Sequence, residues 1–167
     1  MNQPERFDGL GILATLERHR VNYVLIGALA AVLQGADEVT RGVDICPATK
    51  PQNLERLRAA LEELGARPAA GRSRHVDYER LGDAMTHVRT PRGEIKVVPI
   101  PAGTRNGYDD LRRSASREAL GGGLKPQVAS LADITRMVAA VARPEDVERL
   151  EMLRELGELE RSIGLDL

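Results

Sequence analysis

The sequence predicts an α/β (α+β) fold in which a small mixed sheet is flanked by helices and the carboxy-terminal part is helical. Short apolar runs alternate with helical stripes in the first half of the chain, and the turn residues Pro91-Arg92-Gly93 separate two further runs. Apolar residues at helical spacing dominate the carboxy-terminal part. The length of 167 residues, 42% of them hydrophobic, fits a single domain. Within it we expect an α/β core over residues 1–120 and a helical segment packed on it over residues 121–167.

The first half of the chain alternates helix and strand. Apolar residues recur every three positions from Phe7 to Leu16, which predicts a helix over 7–19. Val21 to Ile26 is short, apolar and β-branched and ends at a glycine, as a buried strand does. The remaining elements of this half are a helix over 28–33, a strand over 39–45 and a helix over 53–64, which ends before Gly65.

The second half combines a strand hairpin with helices. Residues 66–82 have no clear period and are interpreted as a loop, with an edge strand near His75 to Tyr78 as an option. Strands over 84–90 and 94–100 are joined by the turn at Pro91. Predicted helices cover 108–115, 130–142 after a capping Ser130, and 144–163, with a glycine break at 121–123. The apolar face of the last helix serves either the core or an oligomer seam.

Charge and composition disfavour several functional classes. The 24 basic and 25 acidic residues nearly cancel, and aromatic residues make up 2%, so broad nucleic-acid binding and base stacking are not expected. Cys46 is the one cysteine, which provides neither a disulfide framework nor a Cys-rich zinc site. Met1 to Arg6 is polar, and no apolar run reaches the roughly 18 residues of a membrane helix. We therefore expect a cytoplasmic protein that does not contact a membrane.

Five segments stand out by their order and spacing along the chain: Val21–Ala30, Val39–Ile45, Thr90–Gly93, Val128–Asp133 and Arg143–Asp146. Together they resemble the minimal nucleotidyltransferases, including the AbiEii-like proteins. In that family a strand leads through a Gly-Gly or Gly-Ser turn into a helix, and a second strand bears Asp-x-Asp. The resemblance implies a nucleotidyltransferase-like sheet that uses an NTP and two Mg²⁺ ions held by three carboxylates. It also implies a nucleotide-binding site at Gly27, Ala28, Thr40 and Lys96.

The sequence departs from this family pattern where the chemistry is most demanding. The first Asp of the pair falls on Gly42 and leaves Asp44 alone, while the third carboxylate falls on Lys96. Three negative charges thereby become one negative and one positive charge, a local net charge of zero where two divalent cations should bind. Three further departures surround the same cleft: Ala28, Glu38 and Val138.

Two functions are compatible with these residues. In the first, the protein is catalytically degenerate, uses no cofactor, and binds a protein partner or senses a nucleotide, with Lys96 directly neutralising Asp44. In the second, an active Mg²⁺-dependent enzyme moves NMP from an NTP to a hydroxyl of a protein, RNA or small molecule. Asp44 and Glu94 are then the catalytic carboxylates, and Asp44 binds the metal. Asp44 could equally be a cap or an ion-pair partner, and Gly27 could be an ordinary turn glycine that follows a strand.

Two features leave the choice of partner open. Arginines concentrate in the middle of the chain, at Arg72, Arg74, Arg80, Arg89 and Arg92. They form either a solvated face or a site for an acidic partner or a nucleotide phosphate. The last helix could also mediate a homo-oligomer. A role in a toxin–antitoxin pair rests only on the association of the resembled family with such pairs.

Overall fold

The computed structural model describes residues 6–165. All of the predicted polar terminus except Arg6 lies outside the described residues. The same holds for residues 1–5 of the predicted core segment 1–120 and for residues 166–167 of the predicted helical segment 121–167. Within that range the helices are α1 (Gly9–Arg18), α2 (Gly27–Leu33), α3 (Pro51–Glu63), α4 (Tyr108–Leu111), α5 (Leu131–Val141) and α6 (Val147–Leu165). The strands are β1 (Tyr23–Ile26), β2 (Gly42–Pro47), β3 (Arg67–Pro68), β4 (Thr86–Thr90), β5 (Gly93–Val97), β6 (Ser116–Arg117) and β7 (Gln127–Val128). Short 3₁₀ turns occupy Tyr78–Arg80 and Pro144–Asp146.

The strands form one mixed sheet in the order β3-β4-β5-β2-β1-β7-β6. The pairs β1–β2, β3–β4, β4–β5 and β6–β7 are antiparallel, while β2–β5 and β1–β7 are parallel. The parallel register matches Gly42 with Glu94 and Asp44 with Lys96. Because side chains alternate along a strand, all four positions lie on one face of the sheet. The predicted mixed sheet with flanking helices is confirmed.

The other face of the central strands forms the core. Val43 and Ile45 of β2 and Ile95 and Val97 of β5 are fully buried. Leucines of α1 and α3 are buried with them, at Leu13, Leu16, Leu57 and Leu61. Each such side chain contributes about 1.5–3 kcal/mol when removed from water. Apolar and polar side chains therefore alternate along β2 and β5, which gives the sheet an apolar face and a polar face. The candidate site lies on the polar face.

Local sequence signals predicted the hairpin and the α5 cap correctly. Thr90 pairs with Gly93, which leaves Pro91 and Arg92 as a two-residue turn. The Thr90 hydroxyl accepts the Arg92 N–H at 3.1 Å and donates to the Gly93 carbonyl at 2.8 Å. The Ser130 hydroxyl accepts the Asp133 N–H at 3.1 Å, which caps α5.

Tertiary pairing overrode several predicted boundaries. The option of an edge strand near residues 75–78 is wrong, because β4 pairs instead with β3 at Arg67–Pro68. The second strand begins at Gly42 rather than Val39, whose side chain is 87% exposed and has no sheet neighbour to pack against. The fifth strand ends at Val97, since the following proline at residue 99 cannot donate to a ladder. The helix predicted over 108–115 stops at Leu111.

The carboxy-terminal segment contributes to both sheet and core. Its strand β7 pairs with β1, and Leu153 of α6 is fully buried. Further along α6, Leu159 and Ile163 are more than half exposed, so the apolar stripe is core at its start and open at its end. A domain division at residue 120 stays a prediction. None of the described helices combines the length and apolar character that crossing a bilayer requires.

Candidate functional site

Asp44 lies in the middle of the sheet, between Ile26 of β1 and Lys96 of β5. Its carboxylate packs against the turn that joins β1 to α2. A Cβ built on Gly27 would lie 2.9 Å from both Cβ and Cγ of Asp44, and closer still to Oδ2. Gly27 also has a φ of +73°, which L side chains rarely adopt. Glycine is therefore required here both by the backbone conformation and by the close approach of Asp44.

The electrostatic surroundings of Asp44 act in opposite directions. Burial raises the pKa of the Asp44 carboxyl above its usual value. Three basic side chains lower it in part, in the order Lys96, His87 and Arg149. The result is a carboxyl group that is harder to ionise than a solvent-exposed aspartate.

Lys96 acts on Asp44 through space, without an ion pair between the two side chains. The direct neutralisation predicted from the sequence is therefore wrong, although the predicted neighbouring register is correct. The Asp44 carboxylate is turned toward Gly27. Lys96 is only half-buried.

The other two basic groups near Asp44 have carboxylate partners of their own. Nε2 of His87 lies 3.3 Å from Oε2 of Glu94, on the same face of the sheet. Arg149 of α6 forms an ion pair with Glu38, whose side chain is only 11% exposed. Glu38 thus ties the loop before β2 to α6, which is a structural role that the sequence did not reveal.

Gly42 marks the position at which the resemblance places the first aspartate. A Cβ on Gly42 would lie 2.9 Å from the backbone oxygen of Glu94, closer than real Cβ atoms come to a carbonyl. The spacing of β2 and β5 at this point leaves no room for a Cβ on residue 42. An aspartate at residue 42 would therefore require β5 to move.

The remaining predicted positions are spread around the cleft. Ala28 lies in the first turn of α2, and the Thr40 hydroxyl donates to the Gly42 carbonyl at 2.9 Å. Val138 lines a cavity of about 190 Å³ between Gly27 and the α5–α6 corner. Sequence reasoning missed the polar end of this cavity, where Arg143, Asp146 and Arg149 lie. The Arg143–Asp146 segment, one of those that carry the family resemblance, was the sequence feature that could have indicated this polar end. Arg143 Nε donates to Asp146 at 2.7 Å.

The side chains on the polar face do not fit a pair of Mg²⁺ ions. Mg²⁺ prefers oxygen ligands in octahedral geometry, and two such ions need several carboxylates. Here one carboxylate, Asp44, has Lys96 as its neighbour on the adjacent strand, and the other, Glu94, lies 3.3 Å from His87. Among residues 6–165, no group of three or more His, Cys, Asp or Glu side chains is arranged to hold a metal ion.

Solved structures of nucleotidyltransferases share this fold at low sequence identity. Lincomycin-bound LnuA, a lincosamide antibiotic adenylyltransferase, is 16% identical with a TM-score of 0.62, over 90% of this chain and 99% of that chain. The solution structure of the antibiotic-resistance factor ANT(2'')-Ia is 17% identical with a TM-score of 0.54, over 93% of this chain and 90% of that chain. A Thermotoga maritima protein, named as a candidate nucleotidyltransferase, is 18% identical with a TM-score of 0.55, over 89% and 90%. The sequence matches no protein-family model and no curated protein. The chain therefore has the nucleotidyltransferase fold.

Proposed function

We propose that this nucleotidyltransferase-fold protein does not transfer nucleotides and instead binds a partner or senses a nucleotide. The observation that carries the proposal is the strand register, which places Lys96 of β5 next to Asp44 of β2. An ammonium stands where the resemblance calls for a metal-binding carboxylate. Its positive charge opposes the binding of a divalent cation beside Asp44.

The closed approach of the two strands at Gly42 supports the same proposal. An aspartate at this position, where the resemblance places the first carboxylate, would collide with the Glu94 backbone. The loss is therefore built into the spacing of the strands as well as into the side chains. A single substitution would not restore the family's carboxylate set.

Between partner binding and nucleotide sensing, the geometry around Gly27 favours partner binding. In the family resemblance, the turn at Gly27 and Ala28 receives a phosphate. Here the Asp44 carboxylate packs against that turn and would repel a phosphate when ionised. Nucleotide binding, if it occurs, should therefore be weak and independent of Mg²⁺.

The active-enzyme alternative has one observation in its favour. Asp44 and Glu94 lie on the same sheet face in neighbouring rows, so both carboxylates border the cleft. Glu94 would have to leave His87, 3.3 Å away, to reach a metal. This alternative predicts Mg²⁺-dependent transfer that disappears in an Asp44→Ala variant.

Calorimetric titration with ATP and GTP, with and without Mg²⁺, tests the proposal. A transfer assay with ATP labelled at the α-phosphate accompanies it. We expect no labelled product and no gain in nucleotide affinity on adding Mg²⁺. Mg²⁺-dependent binding or transfer that is lost in Asp44→Ala would instead establish the enzyme.

A charge-restoring variant makes the test sharper. Lys96→Asp places a second carboxylate beside Asp44 on the neighbouring strand, and should create detectable Mn²⁺ binding by calorimetry. Lys125→Asp makes the same charge change at an exposed site and is the matched control. Equal metal binding by wild type and Lys96→Asp would show that Lys96 does not exclude the metal.

Membership in the AbiEii-like group and a place in a toxin–antitoxin pair are proposals that rest on the resemblance alone. Self-association through the open end of α6 is a further proposal, supported by the exposed Leu159 and Ile163. Sedimentation of the intact chain would test it.

A further inference from the structure

A second concave surface lies where the β4–β5 turn meets the segment before α1 and the residue before β2. This surface, the arginine groove, has a volume of about 720 Å³. Its lining includes Phe7, Arg41, Arg89, Pro91, Gly93 and Glu94. Neither Asp44 nor Gly27 lines it, and of residues 6–165 Glu94 is the one that the groove shares with the candidate site.

Glu94 is the carboxylate among the described residues that line the groove; it lies opposite Arg89 in the β4–β5 register, but its side chain contacts His87. Arg41 and Arg89 are exposed, and neither forms an ion pair with another residue in the described range 6–165. Arg92 of the adjoining turn differs, because it is paired with Asp8. Among residues 6–165 the groove therefore presents two guanidinium groups without an ion pair, whereas the guanidinium of the nearby Arg92 is paired.

A third arginine adds to this charge from the edge of the sheet. Arg67 of β3 lies directly opposite Arg89 of β4 in the antiparallel register. Like charges placed directly opposite each other destabilise a sheet. On its other side Arg89 lies opposite Glu94, whose carboxylate contacts His87, so an anion bound between Arg67 and Arg89 would relieve the repulsion further.

The floor of the groove is apolar and held in place. The Phe7 ring packs against Gly93 so closely that a Cβ on Gly93 would lie 2.6 Å from it. Pro91 borders the same surface. A ligand that fits this groove combines several negative charges with apolar side chains that can rest on Phe7 and Pro91.

We propose that the arginine groove docks an acidic segment of a partner protein. The proposal rests on the partner-binding branch of the proposed function and assigns that branch a surface. A guanidinium group binds a carboxylate through two parallel hydrogen bonds, so Arg41, Arg67 and Arg89 suit acidic side chains along an extended segment. Nucleic acid fits less well, because the basic surface is limited to a few arginines and, among the described residues that line the groove, Phe7 alone offers an aromatic ring on which a base could stack.

Fluorescence anisotropy with a labelled peptide tests the docking. The probe is a ten-residue peptide of alternating Glu and Leu, and the reference peptide has Gln in place of Glu. We expect the acidic peptide to bind wild-type protein more tightly than the reference, with affinity that falls as salt rises. Arg41→Glu and Arg89→Glu should each weaken binding at least about tenfold, because each removes a charge-assisted hydrogen-bonding group.

Arg56→Glu is the matched control. Arg56 is exposed on α3, so this substitution makes the same charge reversal at a position away from the groove. Equal loss of affinity in Arg56→Glu and Arg89→Glu would overturn the proposal, as would a peptide that binds no better than its Gln reference. Tighter binding of a ten-nucleotide thymidine strand than of the acidic peptide would also overturn it and make the groove a nucleic-acid site. The nucleotide-transfer assay is independent of this result, so failed docking and unexpected catalysis are distinguishable.

Discussion

Replacing Gly27 with alanine probes the close approach of Asp44 to the turn after β1. The backbone of Gly27 has a φ of +73°, and left-handed geometry costs a side-chain-bearing residue about 1–2 kcal/mol. The new Cβ would also lie 2.9 Å from Cβ and Cγ of Asp44, and relieving such overpacking costs about 1–3 kcal/mol. We therefore expect Gly27→Ala to lower the free energy of unfolding by about 2–5 kcal/mol.

Gly65 provides a control with nearly the same backbone geometry. It has a φ of +72°, but a Cβ there would meet only Pro91 Cδ at 3.7 Å, which is ordinary contact. Gly65→Ala should therefore cost only the conformational term of about 1–2 kcal/mol. Urea denaturation, followed by circular dichroism, measures both variants on one scale.

A double-mutant cycle isolates the contact with Asp44. Asp44→Gly removes the carboxylate and the Cβ that the new methyl group would strike. In the Asp44→Gly background, Gly27→Ala should lose its packing term, so the coupling energy should be about 1–3 kcal/mol. Equal destabilisation by Gly27→Ala and Gly65→Ala, or a coupling energy near zero, would refute the claim that Asp44 packs against this turn.

Two further predictions concern a buried charge and a buried hydrogen-bond network. Burial raises the pKa of Asp44 in the folded state, so ionisation at neutral pH opposes folding, and the stability present below the usual pKa of 3.8 is lost as pH rises. Asp44→Asn should accordingly unfold at higher urea than wild type at pH 7, with the gain shrinking toward pH 3; a pH-independent difference would contradict this sign. Buried Asn53 donates from Nδ2 to the carbonyls of Asn22 (2.9 Å) and Ala48 (2.7 Å), and accepts the Asn22 N–H at 2.7 Å. Asn53→Ala should lower the free energy of unfolding, measured by urea titration, by about 3 kcal/mol, because it removes three hydrogen bonds worth about 1 kcal/mol each. The control Gln52→Ala, on the exposed side of α3, should change the free energy of unfolding by less than about 0.5 kcal/mol.

Local chemistry determined much of the fold in advance. The period of the leucines predicted α3, the turn residues at Pro91 predicted the β4–β5 hairpin, and Ser130 predicted the start of α5. Each of these signals acts over a few residues, so the sequence carries it without reference to the rest of the chain. The prediction that the family's carboxylates are replaced at Gly42 and Lys96 likewise came from side-chain chemistry, through the alignment that the resemblance implies, and it stays a prediction.

Long-range placement required the tertiary structure. The pairing of β3 with β4, which sets Arg67 opposite Arg89, involves a two-residue strand with no pattern of its own. The ion pair between Glu38 and Arg149 joins residues more than a hundred positions apart, and no local signal connects them. The orientation of the Asp44 carboxylate toward Gly27, rather than toward Lys96, follows from the packing of the β1–α2 turn. Sequence therefore determined which residues the polar face carries, whereas the packing of distant segments decided which of them touch, because those contacts depend on the shape of the whole sheet.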